Sequence, residues 1–376
     1  MNLDQASQGR DNNFNLLRIA AAASVLISHS FALKSGSSGA EPWRAALGIS
    51  PGDLAVDLFF ITSGFLVTAS IIHRKSTLEF LWARALRIYP ALWTMLIVTV
   101  LLAFPLLSAW SLRDYFSSPA VWQYLFRNAV LVTGIQFHLP GMFTGNPWPG
   151  QGVNASLWTL PIEVSMYLLL AALWTGLRWL PARREQAFRW LCVMLLAGTG
   201  LFVMAGDIHH GTQNPIQLHR EFPLEGLIFM FFTGSCFYQY RHRINLSSSA
   251  FFVLASALAL STLNRQLFYF TYLFTLGYLL LWIAFVPAGW IRRYNRLGDY
   301  SYGIYIYAWP VQQTILQCWP DMGIARLIAT AMACSLILAI LSWHFVEQKA
   351  LKHKQLAVNH TRTILLFLSR MTSRRS

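Results

Sequence analysis

Apolar residues run in long blocks along this chain, and polar residues collect in the short stretches between them. Runs near 14-34, 54-72, 88-108, 156-176, 189-206, 223-240, 249-264, 267-287, 300-319 and 322-345 approach the roughly 20 apolar residues that a helix needs to cross a hydrocarbon core. Backbone polar groups in such a core must be satisfied within the segment, which favours helices for runs of this length. The pattern predicts an all-α, polytopic membrane protein with about ten transmembrane helices and both termini cytoplasmic. Residues 1-13 then form a cytoplasmic N-terminal segment, 14-347 the transmembrane domain, and 348-376 a basic cytoplasmic tail that either touches anionic lipid or lies disordered. The polar opening "MNLDQASQGRDNNFN" lacks the basic stretch and small-residue cleavage site of a signal peptide, so the first run is expected to remain as a span.

Composition agrees with the pattern. Of 376 residues, 55% are hydrophobic and only 12% charged, a balance foreign to water-soluble domains of this size. The net charge of +14 does not point to nucleic acid, because the basic residues sit in short clusters between apolar runs. With the N-terminus inside, 22 of the 29 lysines and arginines fall in cytoplasmic segments, and that asymmetry sets the orientation. The four cysteines lie in apolar segments without CxxC or Cys/His pairing, so neither a disulfide framework nor a zinc site is expected. His209, His210 and His219, with Asp207 and Glu221, fit no metal-ligand spacing and read as solvated loop residues. Expected ligands therefore include no metal and no bound cofactor. Protein partners and oligomeric state are not legible.

Candidate chemistry appears where polar residues interrupt the apolar runs. In "LLRIAAAASVLISHSFAL", Arg18 and His29 are eleven residues apart, which puts them on one helix face about 16 Å apart. Arg18 could snorkel to headgroups, whereas His29 lies deep enough to need a partner. In "GDLAVDLFFITSGFL", Asp53 and Asp57 are one turn apart, with Asp57 inside the run. "SLWTLPIEVSMYLLL" carries Glu163 to a depth near that of His29. One imidazole and two carboxylates at similar depth suit general base catalysis, with a carboxylate fixing the tautomer. Packing and capping roles for Asp57 and Glu163 remain open. Arg84 and Arg87 in "RALRIYP" occupy adjacent turns at the entry to the third run, and paired guanidiniums bind phosphates well. Positive-inside bias explains them equally. Ser63 reads as half of a Ser-Gly close-packing site. The long loop at about 109-155, rich in Gly, Pro and Asn, is the expected seat of specificity, and the glycosylation-like Asn154-Ala-Ser156 within it reads as accidental.

Taken in order, these segments resemble the acyltransferase 3 family of integral membrane O-acyltransferases over roughly residues 12 to 350. Arg18 and His29 match its arginine, ten residues, histidine pattern; "LAVDLFFITSGFL" matches its aspartate, paired-phenylalanine, Ser-Gly-Phe segment. "RALRIYP" with Arg84, Arg87 and Pro90 is similar to its third entry, and "SLWTLPIEVSMY" to its tryptophan-to-glutamate segment through Trp158 and Glu163. "LGDYSYGIYIYAWPVQQ" and "HFVEQKALK" resemble its closing spans. The chain departs from the family at Ala308, where many members carry histidine, and after Glu347, where Gln-Lys replaces a residue then proline.

The resemblance implies transfer of an acyl group, usually acetyl from cytoplasmic acetyl-CoA, to a hydroxyl of a cell-surface or lipid-linked glycan in the cell membrane. Acetyl-CoA would be a substrate, with Arg18, Arg84 and Arg87 holding its phosphates. His29 would deprotonate the acceptor or carry the acyl group, oriented by Glu163 or Asp57. Two other readings stand beside this one: a glycan or lipid transporter or flippase, since membrane histidines and carboxylates also build proton relays, and an O-acyltransferase using succinyl or a longer acyl donor.

Overall fold

The computed structural model of the protein describes residues 1–9, 11–74, 76–148, 152–209 and 223–373. Every one of the ten apolar runs falls on a helix. These are α1 (Phe14–Ser35), α2 (Pro51–His73), α3 (Thr77–Leu96), α4 (Thr159–Gly176), α5 (Arg184–His209), α6 (Pro223–Gln239), α7 (Ser248–Ser261), α8 (Arg265–Phe285), α9 (Ser301–Cys318) and α10 (Ile324–Ser342). A further helix, α11 (Lys354–Ser373), follows.

Among the described residues, seven helices are long and apolar enough to cross a membrane by length and composition. The expected ten differ from this seven for physical reasons. Helices α6 and α7 have 17 and 14 residues. Helix α9 has 18 residues but is interrupted by tyrosines and glutamines, and it tolerates them because neighbouring helices satisfy them. Tyr302 donates to the Ile88 carbonyl at 3.0 Å and Gln312 Nε2 to the Leu26 carbonyl at 2.7 Å. Polar groups answered inside a bundle do not need water.

The bundle is organised around α2 and α9. Helix α2 packs against α1 and α6, α9 against α1 and α10, α5 against α6, and α7 against α8. The α2–α6 crossing is backbone-close. A Cβ at Gly64 would collide with the Phe231 carbonyl, and one at Gly234 with the Ile61 carbonyl. Beside them Thr68 Oγ1 donates to Ser235 Oγ at 2.8 Å. Small residues that let helices touch, with hydroxyls as glue, are a membrane-helix packing device. Large side chains left outside, such as Leu106, Phe252, Leu260, Phe274 and Phe345, form an apolar exterior suited to lipid.

Loops gather into two groups at opposite ends of the bundle. At one, Asn13 Nδ2 bonds the Pro287 carbonyl at 2.8 Å, Arg241 pairs with Asp4 at 2.7 Å, and Lys354 of α11 pairs with Glu79 at 2.9 Å. At the other, Lys34 reaches the Pro320 carbonyl at 2.6 Å and Arg265 binds the carbonyls of Ala45 and Ala46. The loop before α4 is tied down on α9. Asn146 Nδ2 donates to the Gln313 carbonyl at 2.9 Å, and the buried Asn154 donates through Nδ2 to the Ile306 carbonyl at 2.8 Å. That bond occupies the amide a glycosylation reaction would need.

Candidate active site in two adjoining cavities

Two cavities, each of about 270 Å³, lie along α1 and α2. Arg18 lines one and His29 the other, as two depths of one helix wall. Val56 and Tyr305 belong to both linings.

The first cavity is rich in guanidinium groups: Arg18, Arg84 and Arg87 line it, with Glu163, Tyr167 and Ser63. Arg18 Nη1 donates to Asp299 Oδ2 at 2.6 Å, and Arg87 Nη2 donates to the same oxygen at 2.5 Å. Arg87 Nη1 also reaches Glu347 Oε2 at 3.1 Å, while Glu347 Oε1 accepts from Ser342 Oγ at 3.0 Å. Glu347 sits on a π-helical turn, Trp343–Glu347, which continues α10 and turns this carboxylate inward. Burial pushes the Asp299 carboxyl up, but Arg18, Arg87 and the Ser301 hydrogen bonds outweigh it and hold it at about 2.

Arg84 is placed differently. Among the described residues it has no ion-pair partner, and its buried Nε has no hydrogen-bond partner. Its guanidinium carbon is 5.8 Å from the centre of the Tyr167 ring. The Tyr167 hydroxyl donates to Glu163 Oε1 and lies 3.2 Å from Ser63 Oγ. Two of the three arginines are thus answered by carboxylates, and among the described residues Arg84 is not.

The second cavity holds the imidazole. The His29 ring meets Trp309 edge to face, with centroids 4.8 Å apart. Its Nδ1 is buried and has no hydrogen-bond partner among the described residues. Asp57 lines the same cavity and accepts from the Tyr272 hydroxyl at 2.6 Å. The mouth is built from the α1–α2 loop. Arg44, on the short helix Arg44–Leu47, donates through Nη1 to Asp53 Oδ2 at 2.5 Å and through Nη2 to Glu41. Asp53 also caps α2, its Oδ2 accepting from the Ser50 amide at 2.8 Å while Ser50 Oγ accepts from the Asp53 amide at 3.1 Å.

His29 and Asp57 therefore share a cavity, and Arg18, Arg84 and Arg87 share the other. Glu163 stands with the arginines and does not line the His29 cavity, because equal depth along two helices does not fix which way each side chain turns. The lining of the His29 cavity comes from the α1–α2 loop and helix walls, with none of the described residues of 109–155 in it. Sequence reasoning missed Arg44, Glu41, Asp299 and Tyr272; only "LGDYSYG", quoted above, touched one of them, Asp299. Of the histidine group considered above, His210, His219 and Glu221 lie outside the described residues.

A multi-pass helical membrane fold that holds a histidine beside carboxylates and a guanidinium-lined cavity defines an integral membrane protein built around an internal polar site. The acyltransferase domain family matches residues 11–346, and the chain belongs to that acyltransferase 3 family of O-acyltransferases. It is 31% identical to the O-acetyl transferase of Shigella phage Sf6 over 360 residues, covering 91% of this chain and 96% of that protein. It is also 29% identical over 376 residues to Nodulation protein 10 of Rhizobium leguminosarum bv. viciae, covering 93% and 95%. No solved structure matches the chain.

Proposed function

We propose that the protein moves an acetyl group from cytoplasmic acetyl-CoA to a glycan hydroxyl on the far face of the cell membrane. The observation that carries this reading is the pairing of two cavities of opposite character along α1. One offers guanidinium groups to an anionic donor; the other offers an imidazole and carboxylates to a hydroxyl. The termini and the Arg18 end of the bundle face the cytoplasm, as the lysine and arginine distribution favours. The similarity to a phage O-acetyl transferase supports acetyl as the group moved.

In this mechanism Arg84 meets the phosphates of CoA, and Arg18 and Arg87 shape the mouth through Asp299. The thioester extends past Val56 and Tyr305 toward His29. The acceptor hydroxyl loses its proton to the neutral imidazole as its oxygen attacks the thioester carbonyl, and the carbon–sulfur bond breaks to release the CoA thiolate, which takes up that proton from His29. Asp57 and Glu163 serve as the carboxylates of the two cavities. Transfer of labelled acetyl from acetyl-CoA to membrane glycan, compared between wild type and His29→Ala at matched expression, tests the reading. Loss of at least 100-fold is expected, in line with the ~10²–10⁴ that general base catalysis supplies. Undiminished transfer by His29→Ala would sink it.

A further inference from the structure

We infer that the acceptor bound in the His29 cavity is an uncharged saccharide unit, and that anionic sugars are excluded from it. This rests on the proposed function and deepens it by naming the class of acceptor. Three carboxylates line the cavity, Glu41, Asp53 and Asp57, against one guanidinium, Arg44. Arg44 is already engaged: Nη1 on Asp53, and Nη2 on Glu41 and on Ser50 Oγ at 3.3 Å. Apart from that engaged guanidinium and the imidazole, no cationic side chain among the described residues lines this space. A uronate or a phosphate-bearing sugar would bring a negative charge toward a wall with excess carboxylate and no available guanidinium, a juxtaposition that costs binding.

A neutral pyranose suits the same wall. Ionised carboxylates only accept hydrogen bonds, and sugar hydroxyls donate them. Trp158 and Tyr305 line the cavity and supply aromatic surface for the apolar face of a sugar ring. The arginine cavity has the reverse character, with Arg84 unpaired. The two anionic partners that could be confused, CoA and an acidic glycan, are thereby sorted to different cavities by charge.

The full-length protein in lipid nanodiscs is titrated with a butyl hexopyranoside and the corresponding hexopyranosiduronate, with competition read by saturation-transfer NMR. Wild type should bind the neutral glycoside at least tenfold more tightly. The double variant Glu41→Gln/Asp53→Asn releases Arg44 and should narrow that ratio by tenfold or more. Asp53→Asn alone serves if the double variant does not fold, since the asparagine side-chain oxygen can still accept from the Ser50 amide as the Asp53 carboxylate does. Equal or tighter uronate binding by wild type overturns the inference. Binding of neither glycoside, by protein that still transfers acetyl to membrane glycan, overturns it too and leaves the acyl-transfer reading standing. Selective binding of the neutral glycoside without any transfer from acetyl-CoA upholds this inference and overturns the donor assignment alone.

Discussion

Arg87 and Asp299, separated by 212 positions in the chain, meet at 2.5 Å between Nη2 and Oδ2. The same carboxylate oxygen accepts from Arg18 at 2.6 Å, so one acidic group ties α1 and α3 to the start of α9. Removing one member of a buried ion pair leaves an uncompensated charge and costs about 3–5 kcal/mol. Asp299→Asn should therefore melt well below wild type in detergent at pH 7, and it should raise the KM for the acyl donor by letting two arginines relax. An unchanged melting curve would show that the network contributes nothing.

The same carboxylate sets an acid limit. Its folded value of about 2 lies below the ordinary 3.8, so its contribution is complete above the unfolded value and is lost as pH falls toward 2. Between pH 8 and 5 this pair should leave the melting temperature flat. Below pH 4 wild type should lose stability relative to Asp299→Asn, so the two melting curves converge. Parallel curves down to pH 3 would contradict the assignment.

Arg84 carries the donor's charge in the proposed mechanism because it has no carboxylate partner of its own. Lysine keeps the charge but not the planar fork. Arg84→Lys should raise the KM for acetyl-CoA about tenfold, equivalent to ~1.4 kcal/mol, with a smaller change in kcat. A fall in kcat at constant KM would assign Arg84 to the chemical step instead.

Asp57, which lines the His29 cavity, accepts from the buried Tyr272 hydroxyl at 2.6 Å. Tyr272→Phe removes that donor while keeping the ring, and the lost hydrogen bond to a charged group amounts to about 1.5–3 kcal/mol. Acetyl transfer should fall by roughly 10- to 100-fold with the protein still folded, read by size-exclusion profile and transfer rate together. Full activity would mean that Asp57 needs no such support.

The α2–α6 crossing leaves no room for a methyl group at Gly64, where the Phe231 carbonyl lies opposite. Gly64→Ala should destabilise the bundle by about 1–3 kcal/mol or more, as overpacking does. Yield of folded protein and melting temperature measure the effect, and a neutral outcome would require the two helices to separate without cost.

Much of this architecture is readable along the chain, and the reasons for the gaps are physical. Long apolar runs fold as helices because little else satisfies their backbone, so all ten runs emerge as helices, seven of them, among the described residues, long and apolar enough to cross a bilayer. Arg18, Arg84 and Arg87 line one cavity, Arg18 from α1 and the other two from α3, with Asp299 bridging Arg18 and Arg87. Glu163 shows the limit of counting depth: its turn of α4 faces Tyr167 and the arginines, a matter of rotation and neighbours that no spacing reveals. Asp299 and Arg44 lie beyond such reading for another reason. Each acts through a partner set by tertiary contact, and Arg44 sits in a short loop helix where periodicity carries no signal. The long loop before α4, expected to govern specificity, is anchored on α9 through contacts that periodicity does not show.

Val56 and Tyr305 stand on the boundary of both cavities. If an acetyl group passes outward across this partition while the acceptor's proton passes inward from His29 to the CoA thiolate, no net charge crosses the membrane. A membrane voltage does work of about 2.3 kcal/mol per elementary charge per 100 mV, and on this balanced exchange of acetyl for a proton it does none. The partition would then let a cell decorate its exterior from an internal metabolite without drawing on its electrical gradient and without opening a leak through which that gradient could discharge.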